Sequence, residues 1–181
     1  EIYYKTSFFK TKKFTEIIES LKKEPDNSLF WIDLGNIKYA FEDFTGAEAV
    51  WKYAIEINPL ADLAYINLAA MYQYKTKNYP EAEKALRAVI DLGSPGALRA
   101  YVDLFDLYRY RYTQKANFAE GVMLEAYRAF PSEHSVLKSL AWHFLEKGDN
   151  KRAIEYFEKF LAKVPGDASA KEELERLKSN Q

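Results

Sequence analysis

Cysteine is missing from all 181 residues. That excludes disulfides, thiolate zinc sites and cysteine nucleophiles. It leaves the compartment open, because disulfide-free proteins live on both sides of a membrane. Histidine is nearly missing too. His134 and His143 are the two copies, neither has metal-ligand spacing, and both read as structural, His134 at a helix start and His143 on a helix flank. None of the seven glycines builds a phosphate-cradling loop, and no G-x-S-x-G elbow or H-E-x-x-H helix occurs. A catalytic centre needs a nucleophile, an orienting base and an oxyanion site together. With none of these assembled, no enzyme, metal or cofactor is expected.

Net charge is equally scarce. The 26 basic and 27 acidic residues leave a formal charge of -1, too little field to steer the chain to nucleic acid or anionic lipid. No apolar run approaches the roughly 18 residues that span a bilayer, so a soluble domain without direct membrane insertion is expected. The chain begins at Glu1 without methionine or a signal-peptide pattern. The expectation is a processed or cut piece of a longer protein, whose remainder is a leader, a membrane anchor or further repeats.

Proline is sparse, yet its placement is regular. Pro25, Pro59, Pro95, Pro131 and Pro165 lie 34, 36, 36 and 34 residues apart. Proline lacks the helical N–H and its ring clashes with the preceding turn, so each should mark a break between repeated helical units. The sixth, Pro80, follows Tyr79 at a helix start, where a missing N–H costs little. Hydrophobic residues at 48% and aromatics at 16% exclude disorder as the main state of such a chain.

The stretch 28–60 carries the pattern most clearly: Trp31, Leu34 and Gly35, then Phe44, Ala47, Trp51 and Ala54, closed by Pro59. This spacing resembles the 34-residue tetratricopeptide repeat. The resemblance implies an all-α fold, a right-handed α-solenoid of antiparallel helix pairs in which neighbours cover each other's apolar faces. The expected division is a degenerate half repeat over 1–27, repeats over 28–61, 62–97, 98–133 and 134–167, and a capping helix over 168–181. In the half repeat, residues 10–13 read as a turn, followed by Phe14, Ile17, Ile18 and Leu21 on one helical face.

Within the repeats, helices A and B meet at small residues: Gly35 with Ala47, Ala69 with Ala82, and Ala141 with Ala153. The second repeat should hold its extra residue between the helices, around 75–78. The third has a helix A reaching about Tyr112 and a helix B carrying Phe118, Gly121, Met123 and Ala126, with a register open by two residues. There Phe105 is expected opposite Gly121, a volume-conserving swap.

The resemblance also implies a ligand-binding inner surface formed by the A helices, at unit positions 2, 5, 6, 9, 12 and 13. The first repeat supplies Leu29, Ile32, Asp33, Asn36, Tyr39 and Ala40. The second supplies Leu63, Ile66, Asn67, Ala70, Gln73 and Tyr74. The third gives Arg99, Val102, Asp103, Asp106, Arg109 and Tyr110, and the fourth Ser135, Lys138, Ser139, Trp142, Leu145 and Glu146. Twelve of these are the candidate partner-binding residues: Asn36, Tyr39, Asn67, Gln73, Tyr74, Arg99, Asp103, Asp106, Arg109, Tyr110, Lys138 and Trp142. Aromatics and arginine dominate interface hot spots, and asparagine serves both donors and acceptors of a peptide backbone.

Two narrower readings fail on the residues. Members that clamp the acidic C-terminal tails of chaperones use Lys and Asn in the first repeat, Asn in the second, and Lys and Arg in the third. Here Asn36, Asn67 and Arg99 match, while Ile32 and Asp103 do not, and Asp103 would oppose a carboxylate. Arg109-Tyr110-Arg111-Tyr112 has the residue types of a base-stacking surface, but on a helix these side chains fan around the axis, with Asp106 and Asp103 one and two turns earlier. No nucleic acid is expected. The function expected is a non-catalytic scaffold holding a peptide, a helix or a protein subunit. The alternative is a structural module self-associating through an amino-terminal apolar patch (Tyr3, Tyr4, Phe8, Phe9), or an accessory domain of a larger protein.

Overall fold

The computed structural model describes the backbone of residues 2–179 and the side chains of residues 11–179. Among the described residues there is no strand; the fold is all-α. The chain divides into two compact units, residues 1–100 and 101–181. The first holds α1 (Ile2–Lys23), α2 (Ser28–Ala40), α3 (Phe44–Ile57), α4 (Asp62–Met71) and α5 (Tyr79–Asp91). The start of α6 (Ala97–Asp106) also belongs to it. The second holds the rest of α6, then α7 (Ala119–Ala129), α8 (His134–Glu146), α9 (Asn150–Lys163) and α10 (Ala168–Ser179).

α1 runs unbroken through residues 10–13, where a turn was expected. The segment Lys10-Thr11-Lys12-Lys13 is polar but contains neither glycine nor proline, so nothing in it breaks a helix. Ile17 and Leu21 of α1 are buried against Leu34 and Ile37 of α2, with Ile18, Phe30, Trp31 and Val50 at the margin. Tyr3, Tyr4, Phe8 and Phe9 lie outside the described side chains.

Helix starts follow from caps. Asp43 accepts the Gly46 N–H at 2.9 Å, Asn78 the Glu81 N–H at 3.5 Å and Asp149 the Arg152 N–H at 3.1 Å. Each satisfies an orphan amide of the first turn. The preceding turns share a device. Glu42, Lys77 and Gly148, each five residues before a buried alanine (Ala47, Ala82, Ala153), take φ of 63°, 55° and 74°. After α2 and α8 the next N–H then closes a six-residue loop, Asp43 N to Lys38 O and Asp149 N to Phe144 O, both at 2.9 Å. A left-handed backbone suits glycine and strains Glu42 and Lys77. Replacing Glu42 by glycine is therefore expected to stabilise the first unit by about 1 kcal/mol, the relieved strain less glycine's greater chain entropy. A raised midpoint of urea unfolding is the readout.

Inside each helix pair the close approach is set by size. Gly35 lies so near the Trp51 indole that a Cβ there would sit 2.3 Å from Nε1. That nitrogen donates to the Ile32 carbonyl at 3.2 Å, and the ring is 2% exposed. In the second unit Phe144, Phe157 and Phe160 fill the space between α8 and α9, all of them 0–1% exposed.

Two expectations about spacing need correction. The extra residue of the second repeat does not sit between its helices. It is taken up within helix A, which continues past Met71 as a π-helical turn, Tyr72–Thr76. The same happens after α6, where Leu107–Arg111 is π-helical and the Tyr112 N–H reaches back to the Leu107 carbonyl at 2.7 Å. A 3₁₀ segment, Thr113–Phe118, then leads into α7.

The second correction concerns Phe105 and Gly121. Gly121 is exposed, with open space where a Cβ would stand, and Phe105 packs edge-on against His143 at 5.6 Å. The buried series on α7 is Ala119, Met123 and Ala126, matching Ala47, Trp51 and Ala54 of α3. Counting back from Pro131 gives this register. Matching Asn117-Phe118-Ala119-Glu120-Gly121 to the segment 78–82 is what displaces it by two.

Candidate functional site

In the first unit α2 and α4 lie side by side. The Asn67 amide donates to Asn36 Oδ1 at 2.8 Å. Leu29 is 60% exposed and Leu63 49%, at equivalent places near the starts of their helices. Tyr74, in the π-turn after α4, is 52% exposed. The face thus combines open apolar side chains with an amide pair whose orientation is already fixed.

Other expected members of this face are engaged in packing. Ile32 and Ile66 are buried in the core. Tyr39 lies against the rings of Phe44 and Trp51, at 5.5 and 5.9 Å, with the Lys75 ammonium 5.8 Å above it. Gln73 is 3% exposed, and its amide nitrogen has no hydrogen-bond partner. Arg99 is exposed near the start of α6.

In the second unit Asp103 and Asp106 are half-buried on α6. Burial, and then repulsion from Asp103, pushes the Asp106 carboxyl above the usual range. Arg109 is nearly enclosed. It pairs with Glu146, stacks on the rings of Phe105 and Tyr110 at 5.5 and 5.1 Å, and places Nη1 3.3 Å from His143 Nδ1. Tyr110 itself is 59% exposed. Lys138 donates to Asp167, just before α10, at 2.7 Å and lies 5.4 Å from the Phe160 ring. Trp142 is half-buried, edge-on to Phe157 at 5.3 Å. Tyr74 and Tyr110 are thus exposed rings and Asn36 and Asn67 a hydrogen-bonded amide pair, whereas Gln73 is buried, Lys138 is paired with Asp167 and Tyr39 packs against Phe44 and Trp51.

One group of charges escaped the sequence reading. Glu120 of α7 accepts from Arg152 at 2.8 Å and from Lys147, and lies 3.7 Å from His143 Nε2. Its hydrogen bonds from Lys147 and Arg152 hold its carboxyl below the usual range. Glu120, Arg109 and the segment 143–152 are far apart in sequence, and no period links them. Among the described residues no cluster of three or more His, Asp or Glu is arranged to hold a metal, and no helix is long and apolar enough to cross a membrane.

The model of the tetratricopeptide repeat matches residues 32–97 and 108–168, more than half of the chain. The protein belongs to the tetratricopeptide repeat family. Solved structures agree on the fold of this tetratricopeptide protein. MamA from Desulfovibrio magneticus RS-1 is similar over 88% of this chain and 88% of its own, at 21% identity and a TM-score of 0.64. PilW, a type IV pilus biogenesis factor, covers 99% of this chain and 89% of its own, at 19% identity and a TM-score of 0.62. YrrB, a tetratricopeptide protein with an unusual peptide-binding site, covers 85% and 77%, at 16% identity and a TM-score of 0.61. No curated protein matches the sequence. Tetratricopeptide domains are in general protein–protein interaction modules and typically non-catalytic.

Proposed function

We propose that this chain is a non-catalytic scaffold that holds an extended peptide or a segment of a partner protein along the inner face of its A helices. The observation that carries the reading is the face of α2 and α4. Leu29 and Leu63 stand open beside the Asn36–Asn67 amide pair. Exposed leucines in register on adjacent helices supply apolar area, and the amide pair supplies oriented hydrogen-bonding groups that a peptide backbone can meet without reorganisation. Tyr74 adds a rigid aromatic of the kind that anchors interfaces. The peptide-binding site named for YrrB accords with such a role.

The test is a crosslinking and affinity-capture comparison of the wild type with Leu29→Asp/Leu63→Asp. Both residues are exposed, so the helical circular dichroism and melting temperature should hold. Partners crosslinked to this face should drop roughly tenfold or more, because a carboxylate would be buried at each apolar contact. A partner set that survives the double substitution unchanged would exclude this face. As a control, Lys151→Asp at an exposed position of α9 should leave capture intact.

A further inference from the structure

His143 is the one described imidazole that is buried, at 8% exposure. Phe105 and Phe144 close over it edge-on, at 5.6 and 5.5 Å. Arg109 Nη1 lies 3.3 Å from its Nδ1. A guanidinium only donates, so Nδ1 must accept and the ring proton sits on Nε2. Nε2 faces Glu120 Oε2 at 3.7 Å, beyond hydrogen-bond reach, and has no other hydrogen-bond partner. The ring is thus a neutral acceptor that tethers Arg109, and Arg109 in turn underlies the exposed ring of Tyr110.

We infer that His143 is an acid-sensitive latch: on protonation Nδ1 becomes a donor, Arg109 loses its hydrogen bond to the imidazole and is held to α8 by Glu146 alone, and the support beneath Tyr110 loosens. The charged groups around the ring set when this happens. Arg109 approaches from the π-turn, with Asp106 and Arg111 close to it along the chain. Glu120 faces the ring from α7 and Lys147 from the end of α8, Glu146 pairs with Arg109, and Arg152 of α9 holds Glu120. Burial opposes protonation most, and Arg109 and Lys147 add repulsion. Glu120 favours the charged ring, but its carboxylate is shared with Lys147 and Arg152. The ring therefore titrates below its ordinary value.

The sign follows from that direction. The folded chain binds this proton less readily than the unfolded chain. The contribution to stability is complete above the unfolded value of about 6.5 and is lost as the pH falls from there towards the folded value. Weaker retention of a partner by Tyr110 in acid is a consequence that rests on the inner-face reading. The latch itself needs no partner to be seen.

The experiment is an NMR titration of the purified chain between about pH 7.5 and 4.5, the range in which imidazoles change charge. It follows both imidazoles, the Arg109 side-chain N–H and the Tyr110 ring. The expected result is a common midpoint below about 6.5 for His143, Arg109 and Tyr110. In His143→Asn the amide oxygen can take over the Arg109 hydrogen bond and cannot titrate, so the co-titration should vanish. Should that variant not fold, Glu120→Gln keeps the ring and removes its anionic neighbour, and the His143 midpoint should fall further. Arg109 and Tyr110 signals that stay fixed while His143 titrates would overturn the latch. So would movement persisting in His143→Asn, or a midpoint unchanged or raised in Glu120→Gln. None of these outcomes bears on the face of α2 and α4.

Discussion

Truncating Trp51 to alanine is expected to destabilise the first unit by about 3–5 kcal/mol, the usual cost of removing a fully buried indole. The ring is 2% exposed and lies directly on Gly35, where even one added carbon has no room. It also occupies the Ile32 carbonyl through its N–H. The substitution thus removes apolar contact from the α2–α3 seam and takes a hydrogen bond from a buried acceptor. Collapse cannot refill the seam, because the residue opposite is a glycine and has nothing to move in. Native-state hydrogen exchange should show α2 and α3 losing protection first. Gly35→Ala probes the same seam from the other side. It should cost about 1–3 kcal/mol by overpacking, and combining it with Trp51→Phe should recover part of the loss. Protection unchanged in α2 and α3 of Trp51→Ala would mean the seam is not what joins this pair.

Phe144→Ala should have a comparable effect in the second unit, again about 3–5 kcal/mol. The ring is fully buried, stacks on Tyr156 at 5.4 Å and carries the Arg152 guanidinium 4.0 Å from its centre. Its loss opens a cavity between α8 and α9 and removes a cation–π contact. Arg152 links Glu120 of α7 to Asp149 at the start of α9, so the damage should spread to that network. Phe144→Leu keeps most of the volume and should recover more than half of the lost stability in urea unfolding. Equal losses for Ala and Leu would show that ring stacking outweighs volume.

Much of this was legible in the residues because size and backbone chemistry set it. Proline breaks helices whatever surrounds it, and the alanines of helix B (Ala47, Ala82, Ala119 and Ala153) recur 12 or 13 residues before those breaks. The α7 register was harder, since two local patterns competed. Asp43, Asn78 and Asp149 each stand four residues before the buried alanine of their helix. No such cap stands four residues before Ala119, and Asn117 imitates the one at Asn78. For the positions expected on an inner face, the residue types were legible and the engagement of their side chains was not. Lys138 is paired with Asp167, and Gln73 is buried. Such pairings join residues about thirty apart with no periodic signature, as Asn36 and Asn67 also do.

The two π-turns change how the chain should be numbered. One residue added within a helix rotates everything beyond it by about 100°. Tyr72-Gln73-Tyr74-Lys75 and Tyr108-Arg109-Tyr110-Arg111 both lie within such a turn. In each, the first tyrosine is turned inward and the second outward, at 4% and 52% exposure in one and 2% and 59% in the other. A comparison that aligns these repeats to a 34-residue ruler therefore keeps its place up to these tyrosines and loses it beyond the turn, where the following helix begins late.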